Sequence, residues 1–87
     1  EIKRIVNLYP NPTEAGLYIE VTGVNLTDLF IPITIYNNEG RIVQRQSLTR
    51  YDNAYKGEIS MYYYPSGQYY IKIHHPEITR LQKFARI

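Results

Sequence analysis

The chain contains no cysteine and no tryptophan, and only one methionine, among 87 residues. Without cysteine there is no disulfide and no thiolate zinc site. That absence is neutral about compartment, since it suits a chain crossing an oxidising space without needing cross-links. No apolar run approaches the ~20 residues of a membrane-spanning helix. No signal peptide stands at Glu1-Ile2-Lys3-Arg4, where the strand pattern is already under way. Such an opening is expected of a piece cut from a larger protein. An excess of one charge sign is also missing. Ten lysines and arginines face eight acids, for a net charge of +2, and the two signs are interspersed. That spread does not make the basic patch of a nucleic-acid binder, so no nucleic-acid partner is expected.

What is present is β structure. The length predicts a single domain over residues 1–87, near the lower end of what folds unaided. No repeat, linker or sustained helical periodicity interrupts it. Alternation supplies about fourteen inward apolar side chains, with no surplus for a buried catalytic cavity. Ten tyrosines are present, and Tyr51, Tyr55, Tyr62, Tyr63, Tyr64, Tyr69 and Tyr70 crowd the later half. Tyrosine fits a pleated, half-buried surface. An exposed tyrosine platform for sugars is the alternative reading.

Period-two patterning and turn residues place the strands. The first is expected from Ile2 to Leu8, and Tyr9-Pro10-Asn11-Pro12 ends it, because prolines withdraw backbone donors. Leu17 to Thr22 follows with Leu17, Ile19 and Val21 inward, and Gly23 stops it. Ile31 to Tyr36 places Ile31, Ile33 and Ile35 on one face. Asn37-Asn38-Glu39-Gly40 reads as a hairpin turn with positive φ at Asn or Gly. Arg41 to Leu48 returns from it, polar enough to suggest a guarded edge. Thr49 to Lys56 reads as a loop, and Gly57 to Met61 as a strand. Pro65-Ser66-Gly67 predicts a type II turn with Gly67 at positive φ. The strand after it, Gln68 to His75, has Tyr69, Ile71 and Ile73 inward. Arg80 to Ile87 is the last. About seven short strands predict an all-β, immunoglobulin-like antiparallel sandwich, with a small closed barrel as the rival.

Chemistry is sparse. Ser47, Ser60 and Ser66 could pair with His74 or His75 as base, but nothing resembles a nucleophile elbow. Adjacent histidines in a strand point to opposite faces, so they cannot share a metal, and both read as surface residues. Asp52-Asn53 alone does not make a calcium site. No two of the seven interior carboxylates stand at a spacing that argues for glycosidase chemistry, and no phosphate-binding glycine loop is present. Asn25-Leu26-Thr27 matches the glycosylation pattern. No enzyme activity, cofactor, metal or small-molecule substrate is expected.

The turns, taken in order, resemble a known family. Tyr9-Pro10-Asn11-Pro12, Gly16 and Leu17-Tyr18-Ile19 are similar to the opening of the C-terminal sorting domains of type IX secretion cargo. Ile33-Thr34-Ile35-Tyr36-Asn37 with Gly40 and Val43 resembles that family's central hairpin. Ile59-Ser60-Met61 and then Pro65-Ser66-Gly67-Gln68-Tyr69-Tyr70-Ile71 resembles its Leu-Pro-Ser-Gly-x-Tyr segment. Lys83-Phe84-Ala85-Arg86-Ile87 resembles its basic-apolar ending. Tyr64 stands where the family usually has leucine, and Arg86 where it more usually has lysine.

The resemblance implies an immunoglobulin-like domain at the C-terminus of a secreted Bacteroidetes-type protein. Its N-terminal cargo would pass from the periplasm through the outer-membrane translocon to the cell surface or beyond. The implied partners are that translocon, a sortase-like peptidase that removes the label, and the cargo itself. Tyr9, Pro10, Asn11, Pro12, Gly40, Pro65 and Gly67 are then structural turn residues. If the last strand is read, Lys83 and Arg86 are the electrostatic contacts and Phe84 the apolar anchor. Otherwise Phe84 is core and the charges face solvent. The competing function is a carbohydrate-binding, adhesive or spacer sandwich of a multidomain surface enzyme.

Overall fold

A computed structural model describes residues 3–87; the expected beginning of the first strand at Ile2 lies outside them. Seven strands follow one another: β1 (Ile5–Tyr9), β2 (Gly16–Thr22), β3 (Phe30–Tyr36), β4 (Ile42–Tyr51), β5 (Ala54–Ser60), β6 (Gly67–Ile73) and β7 (Gln82–Arg86). Every strand pairing is antiparallel, and the hydrogen-bonded order is β1-β2-β5-β4-β3-β6-β7. That order is the strand order of an immunoglobulin-like sandwich. The seven strands form one continuous hydrogen-bonded sheet that folds over at β4. This strand bonds β3 along most of its length and β5 only from Thr49 to Tyr51, so that β1-β2-β5 lies against β4-β3-β6-β7.

The inward positions set by alternation all lie in one core. Leu17, Ile19 and Val21 from β2 and Ile59 from β5 face Ile31, Ile33 and Ile35 from β3 and Tyr69, Ile71 and Ile73 from β6. Each is at most 4% exposed. Burying such aliphatic side chains is the main favourable contribution to folding, about 1.5–3 kcal/mol apiece. Tyr55 is fully buried and keeps its hydroxyl satisfied by donating to Asp28 O at 2.6 Å.

β4 is where sequence expectation and structure part. The segment from Thr49 to Lys56 is a tight hairpin and not a loop. Tyr51 pairs with Ala54 across Asp52-Asn53, and Asp52 takes φ 50°, a left-handed conformation that aspartate tolerates. Although β4 sits fourth of seven, the stretch up to Leu48 pairs with β3 on one side only, so its other side is an edge, as its polar content predicts. β4 bonds β3 from Ile42 to Thr49 and then β5 from Thr49 to Tyr51. Where β4 leaves β5, Leu48 lies over Gly57, and a Cβ on Gly57 would come within 2.5 Å of Leu48 Cδ2. The Gln44 amide spans the widening gap, donating to Ser60 O at 3.1 Å.

The turns are built in more than one way. Gly40 carries the positive φ of the β3–β4 hairpin, at 81°. Asn37 contributes through its side chain instead, Oδ1 accepting from the Glu39 and Arg41 amides at 2.9 and 3.0 Å. The hydrogen-bonded turn before β6 is Met61 to Tyr64, with Tyr64 N donating to Met61 O at 3.1 Å. Gly67 does have positive φ, but at 153°, far from the ~+80° of a type II turn. The predicted Pro65-Ser66-Gly67 turn is therefore a bend that leads into β6. Pro32 sits inside β3, where its carbonyl accepts from His74 N at 3.0 Å just past the last paired residue of β6. Its missing donor thus falls at the end of that ladder.

Gly23 and Gly40 separate two reasons for glycine. Both hold left-handed φ, 78° and 81°, but only at Gly23 does the backbone of Lys3 and Arg4 crowd the place of a Cβ, with Arg4 Cα at 2.9 Å. Gly40→Ala is expected to cost about 1 kcal/mol and Gly23→Ala at least about 2 kcal/mol. Chemical denaturation of both variants checks this; equal losses would show that the chain before β1 does not press on Gly23.

Candidate functional site

The segments that carry the sequence motifs come together at one end of the sandwich. The β1–β2 loop leaves Tyr9 and crosses to β7, pairing the outer edge that β6 leaves open. Thr13 N donates to Ala85 O and Ile87 N to Thr13 O, both at 2.9 Å. Asn11 does with its side chain what a strand does with its backbone. Its Oδ1 accepts from Ala85 N at 3.1 Å and its Nδ2 donates to Lys83 O at 3.4 Å. Pro10 and Pro12, both following cis peptides, have no amide hydrogen to offer. Thr13 is 1% exposed and hydrogen-bonds Gly16 O through its hydroxyl. Sequence reasoning marked this loop as a motif but did not see that it clasps the last strand.

The neighbouring turn joins the same end. Met61 N donates to Ala15 O at 2.6 Å, and Arg86 Nε donates to Met61 O at 3.0 Å. Tyr69 OH donates to Pro65 O at 2.6 Å. Burial pushes the Tyr69 hydroxyl above its ordinary pKa, while the nearby Arg86 charge pulls the other way. Tyr62 and Tyr63 meet edge to face, centroids 5.0 Å apart, at the tip of the turn, 65% and 89% exposed. The Asn37–Gly40 hairpin lies at the same end, and Tyr64 OH ties the turn to the start of β4, just past that hairpin, through Val43 O at 3.1 Å.

The last-strand residues fall into three different settings. Phe84 is 1% exposed and stacks on Tyr69, ring centroids 5.6 Å apart. It fills the core and offers no surface. Lys83 is exposed on the outer face, and Arg86 is half-buried with its guanidinium against main-chain carbonyls. Pro65 and Gly67 are exposed at the start of β6, and Gly40 at the hairpin tip.

The opposite end holds the titratable cluster. His75 continues the inward phase of Ile71 and Ile73 and is 8% exposed, so only His74 of the pair is a surface residue. His75 Nδ1 accepts from Glu77 N at 3.1 Å, which leaves Nε2 protonated to donate to Asn25 O at 2.9 Å. Glu77 accepts from Asn25 N at 2.6 Å and pairs with Arg4 at 3.2 Å. The Asn25 amide bond and then the Arg4 charge hold its carboxyl below the ordinary glutamate range. Asn25 Oδ1 in turn accepts from Thr27 N at 2.8 Å, which gives the Asn25-Leu26-Thr27 match a local structural role. His74 Nε2 meets Thr34 Oγ1 at 2.7 Å. Neither histidine bonds Ser47, Ser60 or Ser66, and no metal-holding group of His, Cys, Asp or Glu exists among the described residues. The His75, Glu77 and Asn25 contacts tie loops together, and the His74–Thr34 contact joins β3 to the end of β6.

Residues 7–85 match the model of a family described as the secretion system C-terminal sorting domain. No curated protein matches the chain, and no solved structure does.

Two predictions follow from the two ends. Asn11→Ala strips Ala85 N–H of its acceptor and is expected to cost about 0.5–1.5 kcal/mol. Hydrogen exchange at Ala85 should quicken in that variant and stay slow in Asn11→Asp, which keeps an acceptor; equal exchange in both would sink the clasp. At the other end, the depressed pKa of Glu77 means its stabilisation is present above the ordinary glutamate range and lost as pH falls through the folded value. Glu77→Gln should therefore melt below the native protein at neutral pH, with the gap closing in acid. A gap independent of pH would contradict the assignment.

Proposed function

Because the chain belongs to the family of secretion-system C-terminal sorting domains, we propose that the clasped end of its sandwich is the face that the type IX translocon reads. As a type IX sorting signal, the domain acts with that secretion machinery in export to the cell surface or extracellular space. The observation that carries the finer reading is the convergence itself. Tyr9 to Pro12, the Asn37–Gly40 hairpin, the turn leading to Gly67 and the last residues of β7 are scattered in sequence, yet they form one contiguous end. Exposed Tyr62 and Tyr63 supply large apolar contact area there. Lys83 and the rim of Arg86 supply positive charge. The domain performs no catalysis in this role; it presents a folded surface.

The cargo precedes β1, and β1 begins at the opposite end of a molecule whose longest extent is 37 Å. A translocon holding the clasped end therefore leaves the junction with the cargo clear. A sortase-like peptidase would cut upstream of Tyr9-Pro10-Asn11-Pro12 after passage through the periplasm and outer membrane.

Residues 1–87 fused behind a periplasmic reporter should carry it out of a type IX-competent host and not out of one lacking the translocon. Deleting Lys83 to Ile87 should stop export, but that deletion also removes Phe84 from the core. Tyr63→Ala and Lys83→Glu alter exposed positions only and separate reading from folding. Each should reduce export severalfold while melting like the parent. Undiminished export of the double variant would refute the clasped end as the reading face.

A further inference from the structure

The fold sorts cations that the sequence scatters. Arg4 and Lys56 pair with Glu77 and Glu20, and Arg50 and Arg86 donate to Leu26 O and Met61 O. Arg45, Lys72, Arg80 and Lys83 have no ion pair and no side-chain hydrogen bond among the described residues, and all four are exposed. Three of them share one surface. Since Ile71 and Ile73 point into the core, Tyr70, Lys72 and His74 point out from the β7-β6-β3-β4 face. Register places Lys83 beside Tyr70 and Tyr70 beside Tyr36. The next row is Lys72, Thr34 and Arg45. These two rows contain no carboxylate.

The surface is not flat. A depression over Tyr36, Tyr70 and Lys72 is walled by the Asn37–Gly40 hairpin and by the chain from Pro76 to Leu81, which brings Arg80 to its rim. A second depression, over Thr34 and Arg45, shares Tyr36 and His74 with the first. Together they form one open groove running across the strands. Its floor offers half-buried tyrosine rings in steps of about 4.8 Å, the distance between neighbouring strands. Unneutralised cations on one face raise the local concentration of anions. Aromatic faces at the same place give a purely electrostatic ligand nothing, but they suit the C–H face of a sugar ring. A folded acidic protein would need a broad surface and could not enter between the walls.

We propose that this groove binds an acidic oligosaccharide, a sugar chain bearing carboxylates or phosphates. Tyr36 and Tyr70 lie under its rings, and Arg45, Lys72 and Arg80 meet its acids, with Lys83 next to Tyr70 on the neighbouring strand. The site stands apart from the tyrosines at the tip of the turn; it shares the Asn37–Gly40 hairpin with the proposed reading face, and Lys72 and Arg45 belong to the groove alone.

The test is a titration of the 87-residue chain with four probes. They are oligogalacturonate, a phosphorylated mannan fragment, a neutral galacto-oligosaccharide and polyglutamate. Saturable binding is expected for one or both acidic sugars, and which one binds identifies the acid. The neutral sugar and polyglutamate should bind at least roughly tenfold more weakly, a difference of about 1.4 kcal/mol. Lys72→Glu should weaken the acidic-sugar complex roughly tenfold, and Tyr70→Ala should do likewise. Lys56→Ala, on the other layer, should leave it unchanged. Lys72 is exposed, so its variant carries the test even if Tyr70→Ala unfolds. Binding of neither acidic sugar overturns the proposal. So does equal binding of polyglutamate, or indifference to Lys72→Glu.

Discussion

One strand has to belong to two layers. β4 gives one edge to β3 along most of its length and the other edge to β5 at its last residues, and the change of partner falls at Thr49. Opposite backbone edges allow this, because each residue on a strand directs its hydrogen bonds to one side only. The cost is geometric. Once β4 departs from β5, the layers separate by a core's thickness within a few residues, and something must fill the wedge. Leu48 does so over a residue without a side chain, Gly57, and Gln44 bridges the remainder.

The two mouths of the sandwich are closed by a common device. At the ends of core-facing rows, where alternation would place another apolar side chain, the chain has Arg50, His75 and Arg86. Each lies in phase with buried neighbours, and each donates to a carbonyl of a crossing loop: Leu26 O, Asn25 O and Met61 O. Long polar side chains can bury their stems and still satisfy their heads. A charge at an inward position is thereby compatible with the core, and it ties the adjoining loop down as well.

That device also explains what could be read from the sequence. The central runs of β2, β3 and β6 were legible because a two-sided core demands strict alternation, and Leu17 to Val21, Ile31 to Ile35 and Tyr69 to Ile73 supply it. The family motifs were legible as turns. The end of β4 was not, because Arg50 breaks the apolar phase and Asp52-Asn53 reads as loop when it is a two-residue turn. His75 looked like a surface residue by type, although its phase with Ile71 and Ile73 pointed inward. The clasp of Asn11 on β7 could not be read at all. It depends on a side-chain amide imitating a strand, between positions 74 apart in sequence. The gathering of Arg45, Lys72 and Lys83 on one face was likewise a product of register, invisible in their spacing.

The clasp has a kinetic side. The contacts that finish the sandwich join the β1–β2 loop to β7, across a separation of 74 residues. Contacts this distant in sequence slow folding, because chain entropy is spent before they form. They also make completion all-or-none with respect to length. Until Phe84 and Ala85 are available, Tyr69 lacks its stacking partner and the β1–β2 loop has no strand to hold. A chain that stops short of β7 cannot imitate the finished sandwich, so the surface at the clasped end exists only once β7 has been made and docked.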